Sequence, residues 1–280
     1  MILNVVSVSD QVTEFSAKWN NRLFAELDPI SHVDLVREKA TRANFEAEVA
    51  KNTASMIVFY DHGGAKCLYG SDLQPILDCS NSCLMRGKEV FTMACLSAQK
   101  LGAKAYREGC KAYWGYCQPF SFVTDREEVF GTLANMGLIL RLKKGYSWAR
   151  CVEEVKAAYD RVIEELRTVS GAGWAVVALI NDRDCLVCWT DQSQPPSDCM
   201  FRKTGIFLFG RAGQKMSKTA ALSTAFLLSL WTLAIYSYLN LMYDLYGTCT
   251  VWDWGYVGLL GVLPASFILL REYLVTLDQR

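Results

Sequence analysis

The first two hundred residues predict an α/β fold: a mainly parallel sheet covered on both faces by helices. Three observations carry that expectation. "SMIVFYDHGG" (55–64) and "EVFTMACLSA" (89–98) are apolar on both faces of a strand, which suits a sheet buried on both sides. Amphipathic stretches separate such runs, so strand and helix alternate along the chain. Two runs end on chemistry-bearing residues, His62 before two glycines and Cys95 before Leu96-Ser97.

The elements follow in order. "MILNVVSVSDQ" reads as a first strand; it has no basic n-region and too short an apolar run for a secretory signal. Residues 11–51 carry Phe15, Trp19, Leu23, Phe24, Val33, Leu35, Val36 and Phe45 at roughly helical intervals, predicting two helices broken near "DPIS". After the strand "ASMIVFYDHG", residues 65–88 read as a loop with a short helix, and "EVFTMAC" as the next strand. "SAQKLGAKAYREGC" is a helix and "KAYWGY" a strand. Residues 126–167 are the longest helical region, broken at Lys144-Gly145, and "GWAVVALINDRDCLVCW" reads as the closing strand.

The 280 residues carry a net charge of zero, so no global basic field recruits nucleic acid. The eleven cysteines lack the density of a disulfide scaffold and read as mostly reduced thiols of a cytosolic compartment. "CLVC" at 185–188 has metal-pair spacing but no second pair with histidine nearby, so core packing is the better reading. His32 in "DPISHVD" reads as a surface residue, and there is no phosphate-cradling glycine loop.

In parallel sheets ligands sit beyond the carboxyl ends of the strands, where both His62 and Cys95 are expected. A thiol becomes a useful nucleophile when an imidazole takes its proton, and two neighbouring strand ends can bring the pair together. The backbone N–H groups of Gly63 and Cys95 are candidates for an oxyanion hole. A cysteine ending a buried strand is also an ordinary small core residue, so both readings stand at this point.

The order of an apolar block, His62-Gly63, a spacer, a second apolar block and Ala94-Cys95 resembles the caspase-like cysteine peptidases, the clan of caspases, gingipains, separase and the bacterial CHAT proteins. The stretch from "LGAKAYREGC" through "KAYWGYCQPFSFVTDREEVFGTLANMGLILRLKKGYSWARCVEEV" is similar to the CHAT and gingipain pattern. "VVALINDRDCLV" resembles their closing strand, with Asn181-Asp182-Arg183 where Gly-Asp-Pro is usual. The resemblance covers roughly residues 50–190. It implies a caspase-like sheet and a cysteine endopeptidase with His62 as general base and acid and Cys95 as nucleophile, acting on a protein or peptide and needing no metal or cofactor. It also implies a prokaryotic protein of regulated proteolysis or antiviral defence. Specificity in this clan is set by the residue that binds the side chain before the scissile bond. Asp125 and Asp61 are candidates, since a carboxylate there would select Arg or Lys. For Asp125 a solvated loop acid, or the N-cap of the helix that begins near Arg126, is the better reading.

From Thr219 to Leu270 there is no Lys or Arg, and the only charges are Asp244 and Asp253. Residues 219–243 are 25 uncharged residues, enough to span a hydrocarbon core of roughly 30 Å, and 254–270 are 17 more, with Pro264 inside. The expectation is a caspase-like domain over 1–203, a juxtamembrane linker over 204–218, and a transmembrane hairpin over 219–280 with helices at about 219–243 and 254–274. Arg202, Lys203, Arg211, Lys215 and Lys218 before the first span and Arg271 after the second place both termini and the peptidase in the cytoplasm. Partners are then a protein substrate and the lipid bilayer, with room for an oligomer or a regulatory partner. The rival reading is a catalytically inactive caspase-fold sensor or scaffold whose hairpin perturbs the membrane.

Overall fold

The computed structural model describes residues 1–191. The chain divides into two units at Arg202–Lys203. The hairpin expected over 219–280 and its linker lie outside the described residues, and among the described residues no helix is long and apolar enough to cross a membrane.

A six-stranded sheet organises the first unit. Its strands are β1 (Ile2–Val6), β2 (His32–Val36), β3 (Met56–Tyr60), β7 (Glu89–Met93), β8 (Ala112–Tyr116) and β9 (Leu186–Trp189), in the spatial order β2-β1-β3-β7-β8-β9. The first five pair in parallel and β9 runs antiparallel to β8. The α/β class and the mainly parallel sheet agree with the sequence. All five residues of β1, β3 and β8 are buried, because side chains alternate between two cores. Met56, Val58 and Tyr60 enter the first core, with α1 (Gln11–Leu27), α4 (Glu127–Lys144), α5 (Trp148–Arg167) and α6 (Gly173–Cys185). Ile57 and Phe59 enter the second, with α2 (Arg42–Ala50), α3 (Lys100–Arg107) and a small antiparallel sheet of β4 (Gly63–Gly64), β5 (Cys67–Tyr69) and β6 (Pro75–Asp78).

Three expectations are corrected. The 11–51 region holds one long helix, an edge strand and a short helix rather than two helices. "HVDLV" is half exposed and carries Asp34, so its pattern is polar; what makes it a strand is the ladder to β1. Residues 65–88 hold two strands of the small sheet, β5 and β6, and one 3-10 turn, Ser82–Met85, rather than a loop with a short helix, because strands of three and four residues carry no period to read. "GWAVVALINDRDC" is helix α6, with only "LVCW" in the strand. Ala175, Ala178, Leu179 and Asp182 recur at helical spacing and are buried, while Trp174 is 79% exposed. A seventeen-residue run is also far longer than an ordinary strand.

The break at Lys144-Gly145 is as expected: Gly145 takes φ +66°, the left-handed conformation that ends a helix at least cost. "CLVC" is core on both ends, Cys185 and Cys188 being buried in the first core. His32 is exposed and bonds the Ile30 carbonyl.

One side chain couples the helical layer to the loop after β8. Trp19 is fully buried on α1, its Nε1–H donates to Glu127 Oε2 at 2.7 Å, and its ring meets Phe120 and Phe122 edge-on at 6.2 and 5.1 Å. Lys18 also pairs with Glu127, so the carboxylate is held from two sides. Trp19→Ala is therefore expected to cost about 3–5 kcal/mol, through a large cavity and the loss of one donor to Glu127. Trp19→Phe should cost less, about 1–3 kcal/mol, by leaving only the carboxylate short of a donor. Urea unfolding of both variants measures the difference.

Candidate functional site

The parallel pairing of β3 with β7 sets the site. Its register runs Met56↔Glu89 to Tyr60↔Met93, and Asp61 N–H donates to the Met93 carbonyl at 3.4 Å just past the last pair. His62 and Cys95 each lie two residues beyond that last pair, at the carboxyl ends of neighbouring strands. Gly63 fixes how close they lie. A Cβ placed on it would stand 2.3 Å from the Cys95 carbonyl oxygen, 2.9 Å from Ala94 Cβ and 3.1 Å from Cys95 N. Only a residue without a side chain fits there. The structure therefore brings together His62, Gly63 and Cys95, and keeps the two backbones in contact.

His62 is held from both sides. Its carbonyl accepts Tyr69 N–H at 3.0 Å, which ties it to the small sheet. Its side chain is 35% exposed, with Nε2 2.8 Å from Asp10 Oδ2. Asp10 caps α1: its Oδ1 accepts Thr13 N–H at 2.9 Å, and Thr13 Oγ1 in return accepts Asp10 N–H at 3.0 Å. The Thr13 backbone bond, with help from His62, holds the Asp10 carboxyl below its ordinary range.

Cys95 is half buried, and its Sγ lies 3.9 Å from the Phe120 carbonyl. Burial pushes the thiol up, and the charges of Asp182 and Asp61 push the same way. The next residue, Leu96, sits at φ +60°, a conformation that costs a non-glycine residue on the order of 1 kcal/mol. Strain of that kind directly after a nucleophile candidate marks a turn whose shape the surroundings enforce.

The loop 118–123 lies against this turn and is pinned at several points. Leu96 N–H donates to the Gln118 carbonyl at 3.2 Å, Gln99 Nε2 to the Cys117 carbonyl at 2.6 Å, and Asn181 Nδ2 to the Pro119 carbonyl at 2.8 Å. Asp182 completes the set: its Oδ1 accepts Ser121 N–H at 2.9 Å, while Oδ2 is buried without a partner among the described residues. Burial pushes the Asp182 carboxyl well up.

The two acidic residues singled out from sequence are placed differently. Asp125 is 73% exposed in the turn Thr124–Arg126, with Arg126 Nε 3.9 Å away, and the N-cap of α4 is Arg126 rather than Asp125. Asp61 is buried, and neither carboxylate oxygen has a partner among the described residues. Burial pushes its carboxyl well up. Sequence reasoning missed Asp10 and gave Asp182 no role. Asp10 was legible only as a helix-start signal, an Asp three residues before Thr13, which says nothing about a histidine 52 positions on.

Among the described residues no cluster of three or more His, Cys, Asp or Glu side chains could hold a metal ion. No family model, curated protein or solved structure matches this chain.

Gly63→Ala is expected to destabilise the fold by about 1–3 kcal/mol, since its Cβ would meet backbone atoms that cannot move aside. Gly64→Ala is the control: the nearest atom to its Cβ is Cys67 Sγ at 3.6 Å, ordinary contact distance, so it should change stability by less than about 1 kcal/mol. Chemical denaturation of the two variants checks the contrast.

Asp61 gives a pH test. Burial raises its carboxyl well above the usual range, so the folded chain keeps that proton to higher pH than the unfolded chain does. Its favourable contribution is then present below about pH 4, where unfolded carboxyls titrate, and is lost as pH rises toward the folded value. Asp61→Asn cannot ionise. It should be more stable than the wild type at pH 7, by on the order of 1 kcal/mol, with the gap closing toward pH 4. Urea unfolding at the two pH values measures it.

Proposed function

We propose that this chain is a cysteine endopeptidase of the caspase-like kind, with Cys95 as nucleophile and His62 as general base and acid. The observation that carries the reading is the packing of Gly63, the residue after His62, on the Cys95 backbone just past the end of the β3–β7 ladder. The sheet order supports it: five parallel strands closed by one antiparallel strand, with His62 and Cys95 at the ends of the two central neighbours β3 and β7.

The chemistry balances with these groups alone. His62 takes the proton of the Cys95 thiol, and Sγ attacks the scissile carbonyl carbon. The oxyanion accepts hydrogen bonds from the N–H groups of Gly63 and Cys95. The C–N bond then breaks, and the amine leaves with the proton from His62. Water hydrolyses the thioester, giving its proton to His62 and returning the thiol to Cys95.

A basic side chain before the scissile bond fits the surroundings. Asp61, one residue before His62, is the candidate for selecting Arg or Lys there, since its buried carboxylate oxygens have no partner among the described residues. Asp125, exposed and beside Arg126, is the weaker candidate for that role. The uncharged segments 219–243 and 254–270 anchor the peptidase to a bilayer on its cytoplasmic side, where regulated proteolysis or antiviral defence would be its setting.

One observation favours a second reading. Burial and two carboxyls hold the Cys95 thiol up, and His62 Nε2 is engaged with Asp10. These features also suit an inactive caspase-fold scaffold whose hairpin perturbs the membrane. The two readings part in one experiment on the full-length chain in detergent, with a peptide library as substrate. The peptidase reading expects hydrolysis after Arg or Lys that falls at least about 1,000-fold in Cys95→Ala. Hydrolysis unchanged in Cys95→Ala would overturn it. Membrane leakage that persists in Cys95→Ala, with no cleavage by the wild type, would establish the scaffold reading.

A further inference from the structure

Of the groups around Cys95 and His62, Asp10 is the one whose geometry reaches beyond helix capping. Its two carboxylate oxygens are divided: Oδ1 takes Thr13 N–H at 2.9 Å and Oδ2 takes His62 Nε2 at 2.8 Å. The reciprocal bond from Asp10 N–H to Thr13 Oγ1 fixes the backbone as well, and Ser9 N–H donates to the same Oγ1 at 2.9 Å. The carboxylate is therefore locked in orientation, and it sits where the N-terminal end of the α1 dipole favours negative charge.

An ionised carboxylate can only accept. A partner nitrogen at hydrogen-bond distance must then carry a proton, so the neutral His62 ring is the Nε2–H tautomer with its lone pair on Nδ1. We propose that Asp10 is the positioning residue of the site: it fixes the His62 tautomer, so that Nδ1 is the nitrogen that takes the Cys95 proton, and it faces the imidazolium that results. The proposal rests on the peptidase reading for its kinetic part and on geometry alone for the tautomer. In proton terms the step is simple. Sγ–H becomes Sγ⁻, Nδ1 becomes Nδ1–H⁺, and the Nε2–H stays in place against Oδ2.

The test exploits a substitution that leaves the cap intact. Asn caps a helix as well as Asp does, so Asp10→Asn keeps an oxygen on Thr13 N–H and turns its amide N–H toward His62 Nε2. Nε2 must then accept, and the ring proton moves to Nδ1, where it blocks the base. Asp10→Ser is the second variant, since Ser also caps well but is too short to reach the ring. In both, kcat on a peptide substrate is expected to fall about 100-fold or more with KM changed less than about threefold and no loss of thermal stability.

The readout that a purely structural role would not move is the tautomer itself. Long-range proton–nitrogen NMR on the full-length chain in detergent, labelled at histidine and carrying His32→Gln so that His62 is the one imidazole, reads it directly. A protonated Nε2 with an unprotonated Nδ1 is expected in that background, inverted when Asp10→Asn is added. A protonated Nδ1 in that background, or an Asp10→Asn spectrum and kcat both unchanged, would overturn the proposal. NMR needs no turnover, so failure of the peptidase reading would appear separately, as hydrolysis indifferent to Cys95.

Discussion

The geometry of the whole site depends on one constraint, the parallel pairing of β3 with β7, which runs to the Asp61 N–H bond on the Met93 carbonyl. Parallel neighbours lie close to 4.8 Å apart. Two residues beyond equivalent positions are therefore near each other without any loop having to be folded over to bring them there. The burial of β3 on both faces is what makes that pairing rigid. A strand anchored in two cores at once cannot slip by one residue without turning Ile57 and Phe59 into the wrong core, so the register that ends two residues before His62 and Cys95 is protected by apolar contacts away from them.

Around that pair the fold places groups whose own needs are structural and whose effects are not. Asp10 begins α1, Trp19 ties α1 to the aromatic loop after β8, and Asp182 ends a helical row of small residues on α6 while holding the same loop through Ser121. Each joins one structural element to the surroundings of His62 or Cys95. The buried carboxyls are the costly part of this arrangement, because neither Asp61 nor Asp182 has its full complement of partners among the described residues. Burial of that kind costs stability, since each carboxyl loses its hydration without a full set of hydrogen bonds in return.

Much of this was legible in the sequence, and the rest was hidden for physical reasons. The two-faced apolar runs announced buried parallel strands. The edge strand "HVDLV" was hidden because half of it faces water, so its identity comes from the β1 ladder and not from its own pattern. Helix α6 was hidden because Val176, Val177 and Ile180 favour strands locally, whereas packing on α5 through Ala175, Ala178 and Leu179 decides the outcome. The bond from Asp10 to His62 spans 52 residues and depends on where α1 starts relative to the end of β3, which only the folded arrangement determines.

The central claim, that two strand ends assemble one reactive centre, is tested most directly by an experimentally determined structure of the full-length chain treated with a peptidyl acyloxymethyl ketone bearing Arg at its reactive end. The account predicts a thioether on Cys95 Sγ, a His62 ring nitrogen within about 4 Å of that sulfur, and Asp10 still on the opposite ring nitrogen. Modification at another cysteine, or a His62 ring too distant to share a proton with Cys95, would contradict it.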